Sequence, residues 1–222
     1  MPSGSKETRS HRPRGSCEAR RQVIAVIDYG IGNLRSAEKA LQAVGAAARL
    51  VSDPRELAEA SAVVLPGVGS FGRCAEALES GGWIRPIREV VERQIPFLGI
   101  CVGFQLLYEN SEESPGARGL GLLKGSVRRL PGAVKLPQMQ WNRLEVVQEN
   151  ALLGGDEEHW MYFVHSYAPE VGPETIATCE YGGPVAAAVQ VGMLCGVQFH
   201  PEKSGDQGLA LLRSFTLMVE AT

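Results

Sequence analysis

Phe97-Leu98-Gly99-Ile100-Cys101-Val102-Gly103 joins a short apolar run to residues 104–108, which can continue as a helix as far as Tyr108. The apolar run is typical of a buried strand, and small residues on both sides of the cysteine permit a sharp turn from strand to helix. Such a nucleophile elbow holds the thiol above the sheet at a helix N-terminus, where backbone N–H groups and the helix dipole favour a thiolate. We therefore predict that Cys101 is a nucleophile, although free cysteines are more often buried structural residues.

A second motif, Gly196-Val197-Gln198-Phe199-His200-Pro201-Glu202, lies near the end of the chain. His200 ends an apolar strand, and side chains at the strand ends of an open α/β sheet meet at the ligand crevice. We expect His200 to act as the base for the Cys101 thiol, with Glu202 orienting the imidazole ring. His165 also ends a predicted strand and is the alternative base.

Pro66-Gly67-Val68-Gly69 closes another predicted strand. A phosphate loop is disfavoured because no Lys-Ser/Thr pair follows it. Gly67 and Gly69 can instead turn a peptide N–H toward a developing oxyanion, with the Val102 N–H as the second donor. Together with the cysteine and histidine, these parts specify acyl transfer through a thioester, without naming the amide that is cleaved.

The first half of the chain alternates predicted strands with predicted helices, a pattern that indicates parallel crossover units. The strands cover 23–28, 46–51, 62–65 and 97–100, and the helices cover 34–44, 71–78 and 84–94. After Gly125, short strands separated by turn residues are typical of antiparallel pairing, and a helix over 208–218 closes the chain. We predict an α/β fold with a three-layer, doubly wound, mostly parallel sheet of the flavodoxin-like type. Antiparallel strands are added in the C-terminal half.

The composition fits one sizeable domain: 222 residues, of which 44% are hydrophobic, with a net charge of −3. Residues 1–21 hold six basic and two acidic residues, a net +4, so the remaining chain carries −7. We expect a disordered basic extension over 1–21 and one domain over 22–222. An acidic body without a basic face disfavours nucleic acid as a partner.

No apolar run is long enough to span a bilayer, so we expect no membrane partner. The five cysteines form no C-x-x-C pair, which disfavours a metal site and suits a reducing, cytoplasmic location. No cofactor is expected.

Three strings, L-P-G-V-G from residue 65, G-I-C-V-G-F-Q-L-L from residue 99 and V-Q-F-H-P-E from residue 197, resemble the class I (triad) glutamine amidotransferases. The likeness covers nearly everything after residue 21. It implies hydrolysis of glutamine to glutamate and ammonia, with Cys101, His200 and Glu202 as the triad. By the same resemblance, four residues match positions that hold the amino-acid part of glutamine: Gln105, Glu113, Ser166 and Tyr167.

Within that family the chain is most similar to the glutaminase subunits of imidazole glycerol phosphate synthase. The likeness rests on D-Y-G and G-N-L-R-S from residues 28 and 32, Y-F-V-H-S-Y from residue 162 and K-S-G from residue 203. It implies a heterodimer with a (β/α)8 barrel synthase. That synthase uses the ammonia to make imidazole glycerol phosphate and aminoimidazole carboxamide ribotide in histidine biosynthesis. Trp141, Asn142 and Lys203 match positions at the contact with the barrel.

One segment departs from the family pattern. Where the family usually has P-H-M-G-W-N, this chain has Pro137-Gln138-Met139-Gln140-Trp141-Asn142. Glutamine in place of glycine adds bulk and disfavours a positive φ at position 140. A paralogous subunit that feeds ammonia to a different synthase is therefore one alternative. The others are a stand-alone thiol hydrolase, such as a peptidase or γ-glutamyl hydrolase, and a non-catalytic binding subunit.

Overall fold

The computed structural model describes residues 22–154 and 158–220. The predicted basic extension at 1–21 lies outside the described residues. The first half alternates strands and helices as expected. Its elements are β1 (Val23–Ile27), α1 (Leu34–Ala43), β2 (Ala47–Val51), a 3₁₀ turn (Pro54–Glu59), β3 (Ala62–Gly67), α2 (Phe71–Ser80), α3 (Ile84–Glu92), β4 (Phe97–Cys101) and α4 (Val102–Gln105).

The second half consists mainly of short strands and ends in one long helix. Its elements are β5 (Asn110–Ser111), β6 (Ser126–Arg129), β7 (Gln138–Arg143), β8 (Glu145–Val146), β9 (Trp160–His165), β10 (Tyr167–Pro169), β11 (Thr175–Glu180), β12 (Pro184–Val191), β13 (Leu194–Val197), a 3₁₀ turn (Pro201–Lys203) and α5 (Gly205–Glu220).

The central sheet has eight strands in the order β2-β1-β3-β4-β13-β12-β11-β8. The pairs from β2 to β13 are parallel, and the pairs from β13 to β8 are antiparallel. The chain moves from β1 to β2 in one direction and from β3 to β4 in the other. Right-handed crossovers therefore place α1 on one face and α2 with α3 on the opposite face. The structure confirms an α/β fold with a mostly parallel sheet and added antiparallel strands.

The middle strands bring three chain segments to one edge of the sheet. β3 and β4 are buried along their whole length, as in a parallel sheet covered on both faces. In the register, Gly67 at the end of β3 lies opposite Cys101, and Val197 at the end of β13 lies opposite Ile100. The glycine loop, the predicted nucleophile and the segment leading to His200 therefore follow from neighbouring strand ends.

A separate two-stranded sheet forms from β7 and β9. Its outward side, here called the aromatic face, carries one set of directly opposed side chains. The pairs are Met139 with Val164, Trp141 with Tyr162, and Arg143 with Trp160. Met139, Trp141 and Trp160 are 64%, 49% and 45% exposed. β7 was not among the predicted strands, because its apolar alternation covers only the two positions Met139 and Trp141.

The backbone at Gln140 does not have the positive φ that glutamine would disfavour. Gln140 lies inside β7 opposite Phe163. Within the described ranges, Gln94 and Cys101 are the non-glycine residues with a positive φ. The restriction that glutamine places on a positive φ therefore has no effect at position 140, since a regular strand accepts any side chain there.

None of the helices within residues 22–154 and 158–220 combines the length and hydrophobicity that a bilayer requires.

The turn after β4 is held by a very close backbone approach. A Cβ atom added to Gly103 would lie 1.9 Å from the Leu65 carbonyl oxygen and 2.9 Å from its carbon. Real Cβ atoms do not come this near to backbone atoms, so β3 and α4 can pack at this distance only with glycine at position 103.

We predict that Gly103→Ala destabilises the fold by about 3 kcal/mol, because the clash outweighs the helix propensity gained. Urea unfolding monitored by circular dichroism measures this loss. Gly132→Ala is the matched control, since its added Cβ meets nothing within 4 Å. Equal stabilities of the two variants would contradict the close approach.

Candidate active site

Cys101 ends β4 and has φ +55° and ψ −112°. This conformation is strained for a residue with a Cβ, and strain of this kind concentrates at functional sites. The following helix, α4, ends at Gln105 and has only four residues. The predicted continuation through Tyr108 is therefore wrong, and a long helix dipole is not available to the thiol. The backbone N–H groups of the elbow itself are what can stabilise a negative charge on the Cys101 sulfur.

His200 and Glu202 form a buried pair beside Cys101. The Nδ1 atom of His200 lies 2.9 Å from the Glu202 Oε1 atom, and the side chains of both residues are only 2% exposed. Because a carboxylate oxygen can only accept, Nδ1 carries a proton. The other ring nitrogen, Nε2, is buried without a nitrogen or oxygen partner, which leaves it available to the Cys101 sulfur.

The protonated form of His200 is strongly favoured. Burial by itself lowers the pKa of His200, but the neighbouring Cys101 and Glu202 side chains outweigh it and raise the pKa to about 9. An imidazolium beside the sulfur stabilises a thiolate by direct charge attraction. The arrangement is that of a cysteine–histidine nucleophile with a carboxylate orienting the base.

His165, the alternative base, is placed differently. Its Nδ1 atom lies 2.9 Å from the Tyr167 carbonyl oxygen, which makes Nδ1 the protonated nitrogen. Burial lowers the pKa of His165 to about 4, and the charge of His200 acts in the same direction. His165 therefore stays neutral at physiological pH and serves as a wall of the site.

The other described cysteines are held as neutral thiols. Burial raises the pKa of Cys179 to about 11 and of Cys195 to about 12, and it also raises the pKa of Cys74. None of the described cysteines is in a disulfide. Among the described cysteines, Cys101 is thus the one with a histidine beside it that can favour its thiolate.

A cavity of about 280 Å³ opens at Cys101 and His200. Val68, Gly69 and Val102 line it, so the predicted oxyanion donors Gly69 and Val102 reach the cavity wall. Gly67 does not line the cavity. It packs against the backbone of Val102 and Gly103, where a Cβ would come within 3.0 Å of the Val102 carbonyl carbon. Gly67 thus supports the elbow from behind.

Gln105 and Glu113 lie on the cavity wall. The Gln105 Nε2 atom donates to the Tyr167 carbonyl at 2.8 Å and to the Gln198 Oε1 atom at 3.1 Å. With both protons engaged, the Gln105 Oε1 atom is the polar atom left for a ligand. Glu113 accepts from the Phe71 N–H at 2.7 Å, which holds one carboxylate oxygen at the start of α2. Two acceptors in one cavity suit a cationic amino group.

Ser166 and Tyr167 also line the cavity, next to His165. The Tyr167 carbonyl accepts from both Gln105 and His165, so the backbone of this segment is fixed. A rigid peptide segment beside the two acceptors can hold the carboxylate end of the same ligand through its N–H groups.

Two residues at the site were absent from the sequence-based candidates. Gln198 is completely buried, and its Nε2 atom points at the Cys101 sulfur at 3.8 Å. Asn33 donates to the Glu202 Oε1 atom at 3.3 Å. Two-residue alternation could have indicated Gln198, since positions 198 and 200 share one side of an extended chain. No local signal links Asn33 to Glu202, because 169 residues separate them.

The three expected partner-contact residues differ in their surroundings. Trp141 is on the aromatic face, in edge contact with Tyr162. Asn142 points to the opposite side of β7 and donates to the Glu180 carbonyl at 2.9 Å. Lys203 is exposed at the rim of the cavity. Trp141 and Lys203 are thus accessible, whereas the Asn142 side chain has an internal contact.

The donor set offers no metal centre in the part of the chain that the structure describes, since no three His, Cys, Asp or Glu residues cluster there in a way that could hold an ion. The chemistry described above needs only the side chains and backbone of the cavity.

Comparison with known proteins places the chain in context. A family model described as "Glutamine amidotransferase class-I" matches residues 25–219. The chain is similar to "Imidazole glycerol phosphate synthase subunit HisH" of Methanothermobacter thermautotrophicus, with 45% identity over 90% of this chain and 100% of the relative. The subunit of that name from Moorella thermoacetica is 46% identical over 88% of this chain and 95% of the relative.

Solved structures with low sequence identity share the fold. "Structure of PurLQS from Thermotoga maritima" matches with a TM-score of 0.73 at 21% identity, covering 89% of this chain and 99% of that chain. "Crystal structure of glutamine amidotransferase" matches with a TM-score of 0.71 at 22% identity, covering 88% and 98%.

We predict that Glu202→Gln lowers the pKa of His200 by at least about one unit, because the neutral amide no longer stabilises the imidazolium. NMR titration of the His200 ring measures this. Since the pKa is raised from 6.5 to about 9 on folding, the stabilisation is complete below pH 6.5 and is lost as the pH rises through 9. The variant should therefore show a weaker loss of stability over this interval.

Glu158→Gln is the control for this prediction, because Glu158 is an exposed carboxylate paired with Arg143. An unchanged His200 titration in Glu202→Gln would show that the carboxylate does not hold the ring.

Proposed function

The chain belongs to the class I glutamine amidotransferase family, and on that premise we propose that it is the glutaminase subunit of an imidazole glycerol phosphate synthase in histidine biosynthesis. The observation that carries the proposal is one cavity that joins a thiol, a buried imidazole–carboxylate pair and two acceptors for an amino group. The similarity to HisH subunits along nearly the whole length of those relatives supports the choice of synthase.

The reaction begins with attack of the Cys101 thiolate on the side-chain carboxamide carbon of glutamine. The carbonyl oxygen becomes an anion, which the N–H groups of Gly69 and Val102 stabilise. Each such donor contributes about 3 kcal/mol to lowering the barrier. The His200 imidazolium then donates its proton to the leaving nitrogen, so ammonia departs and a γ-glutamyl thioester remains on Cys101.

The second half of the reaction releases glutamate. His200, now neutral, removes a proton from a water molecule, and the resulting hydroxide attacks the thioester carbon. The Cys101 sulfur leaves as a thiolate, and the imidazolium is restored. Glu202 keeps the ring oriented through both halves, since its Oε1 atom holds Nδ1 at 2.9 Å. No cofactor is required.

The cavity selects a free amino acid over a peptide amide. Gln105 Oε1 and the unbound oxygen of Glu113 accept from the α-ammonium group, and the backbone of Ser166 and Tyr167 binds the α-carboxylate. A peptide bond at either end would remove one charge and leave a wall group without a partner. This arrangement disfavours the stand-alone peptidase considered from the sequence.

The partner is a synthase subunit that takes up the ammonia, and we propose a (β/α)8 barrel seated on the aromatic face. That face exposes Met139, Trp141 and Trp160, and apolar surface of this kind is typical of an interface core. Val164 belongs both to the face and to the cavity wall. A partner bound there adjoins the cavity from which ammonia leaves. Lys203 lies at the rim, in reach of the same partner.

We place the heterodimer in the cytoplasm, in agreement with the free state of the described cysteines. Its products with the barrel are imidazole glycerol phosphate and aminoimidazole carboxamide ribotide.

We predict that Cys101→Ala abolishes glutamate release, with a loss of at least about 10⁴-fold, because no thioester can form. A coupled glutamate assay with the barrel subunit measures this. Cys195→Ala is the control, since burial holds that thiol neutral. Retained glutaminase activity in Cys101→Ala would exclude the thiol mechanism.

We predict that Trp141→Ala weakens binding of the barrel subunit by about 2 kcal/mol, or roughly 30-fold, as expected for a central aromatic anchor. Isothermal titration calorimetry measures this change. Val171→Ala is the matched control, because Val171 is also 49% exposed but lies outside the aromatic face. Equal affinities of the two variants would place the partner on another surface.

A further inference from the structure

Gln198 is a buried polar side chain that the reaction steps above do not use. It follows β13, is completely buried, and its backbone N–H is bonded to the Ala187 carbonyl at 2.8 Å. Its side-chain oxygen accepts from Gln105 at 3.1 Å, and its side-chain nitrogen points at the Cys101 sulfur at 3.8 Å. Buried amide nitrogens normally donate to an oxygen or nitrogen acceptor, so one that faces a sulfur indicates a role for that contact.

The orientation of this amide follows from its neighbours. The Tyr167 carbonyl can only accept, so the Gln105 atom that lies 2.8 Å from it must be nitrogen. The second proton of that nitrogen is directed at Gln198, which makes the facing atom of Gln198 its oxygen. The remaining Gln198 atom, the one toward the sulfur, is therefore the N–H donor.

The sulfur is the only hydrogen-bond partner of the Gln198 Nε2 atom among residues 22–154 and 158–220. A thiol is a weak acceptor, whereas a thiolate is a strong one. A buried donor with no better partner is thus poorly satisfied by the thiol and well satisfied by the thiolate. The environment of Gln198 consequently favours the charged sulfur.

We propose that Gln198 is a positioning residue that holds the Cys101 sulfur toward His200 and donates to it as a thiolate, with Gln105 and the Tyr167 carbonyl fixing the Gln198 amide. The proposal rests on the proposed function for the identity of the reaction that this thiolate carries out. It gives Gln105 a second role, because one nitrogen of Gln105 links the amino-acid end of the cavity to the amide behind the nucleophile.

Other titratable groups near the sulfur come from the same segment and from several others. His200, Glu202 and Lys203 follow β13, Tyr29 follows β1, and Cys74 lies on α2. Glu113, His165 and Tyr167 line the same cavity as Cys101. Burial raises the pKa of Tyr29 and of Cys74, so both stay neutral at physiological pH. His165, whose pKa is lowered to about 4, and His200, whose pKa is raised to about 9, also each keep one charge state from pH 5 to 8.

Gln198→Leu removes the donor with little change in volume, and Gln198→Glu keeps an acceptor for Gln105 while placing a carboxyl oxygen at the sulfur. The pH dependence of iodoacetamide labelling at Cys101, followed by mass spectrometry of its peptide, measures the thiolate in the full chain without partner or glutamine. We expect the midpoint of labelling to rise by about one pH unit in Gln198→Leu, a roughly tenfold slower labelling below the midpoint, and by more in Gln198→Glu.

Gln148→Leu is the matched control, because the Gln148 amide also donates, but to the Pro173 and Thr175 carbonyls. With the barrel subunit present, Gln198→Leu should lower kcat about tenfold and leave KM within about twofold, since the Tyr167 carbonyl still holds the Gln105 amide at 2.8 Å. Wild-type labelling in both folded Gln198 variants would overturn the proposal.

A measurement on the unaltered chain covers the case in which the variants do not fold. The side-chain amide resonance of Gln198 should shift with pH at the same midpoint as Cys101 labelling, and the shift should vanish in Cys101→Ala. An amide that does not respond to the sulfur also overturns the proposal. Failure of the proposed function looks different: labelling and amide shift would then follow the expectation while glutamate release stays absent with the partner.

Discussion

The site depends on the contact between the Gly103 backbone and the Leu65 carbonyl. This approach leaves no room for a Cβ, so it brings α4 directly against β3. The chain must then turn within one residue, and Cys101 takes the strained φ of +55° that results. The neighbouring register places Gly67 opposite Cys101, which sets the glycine loop beside the sulfur. One steric constraint thus positions both the nucleophile and the predicted oxyanion donors.

The buried charge of the His200 imidazolium is stabilised by the side chains next to it. The imidazole of His200 is buried, yet Glu202 and Cys101 compensate for its lost hydration. His165, which lines the same cavity, lacks such a carboxylate, and burial lowers its pKa instead. Two histidines in the same cavity therefore differ in charge at neutral pH. This difference favours His200 for proton transfer, whereas His165 is a neutral side chain that lines the cavity.

The sequence predicted the elements that have strong local signals. The alternation of β1 to β4 with their helices, the elbow at Cys101 and the strand leading to His200 all follow from apolar periodicity and glycine placement. β7 was missed because its apolar alternation covers only Met139 and Trp141, which is too short to identify a strand. The extent of α4 was overestimated because tertiary packing, rather than helix propensity, ends it at Gln105. The contact between Asn33 and Glu202 joins distant segments, so no local pattern could indicate it.

The central sheet ends on both sides in strands that resist further pairing. β8 has two residues and carries Glu145, and β2 at the other edge carries the exposed Arg49 side chain. Short and charged edges discourage backbone pairing with a second molecule. Association by extending the sheet, the usual route to β-aggregates, is therefore disfavoured at both ends. The proposed docking on the aromatic face of the β7–β9 unit uses side chains in place of a strand edge, so it does not extend a sheet from one molecule to the next.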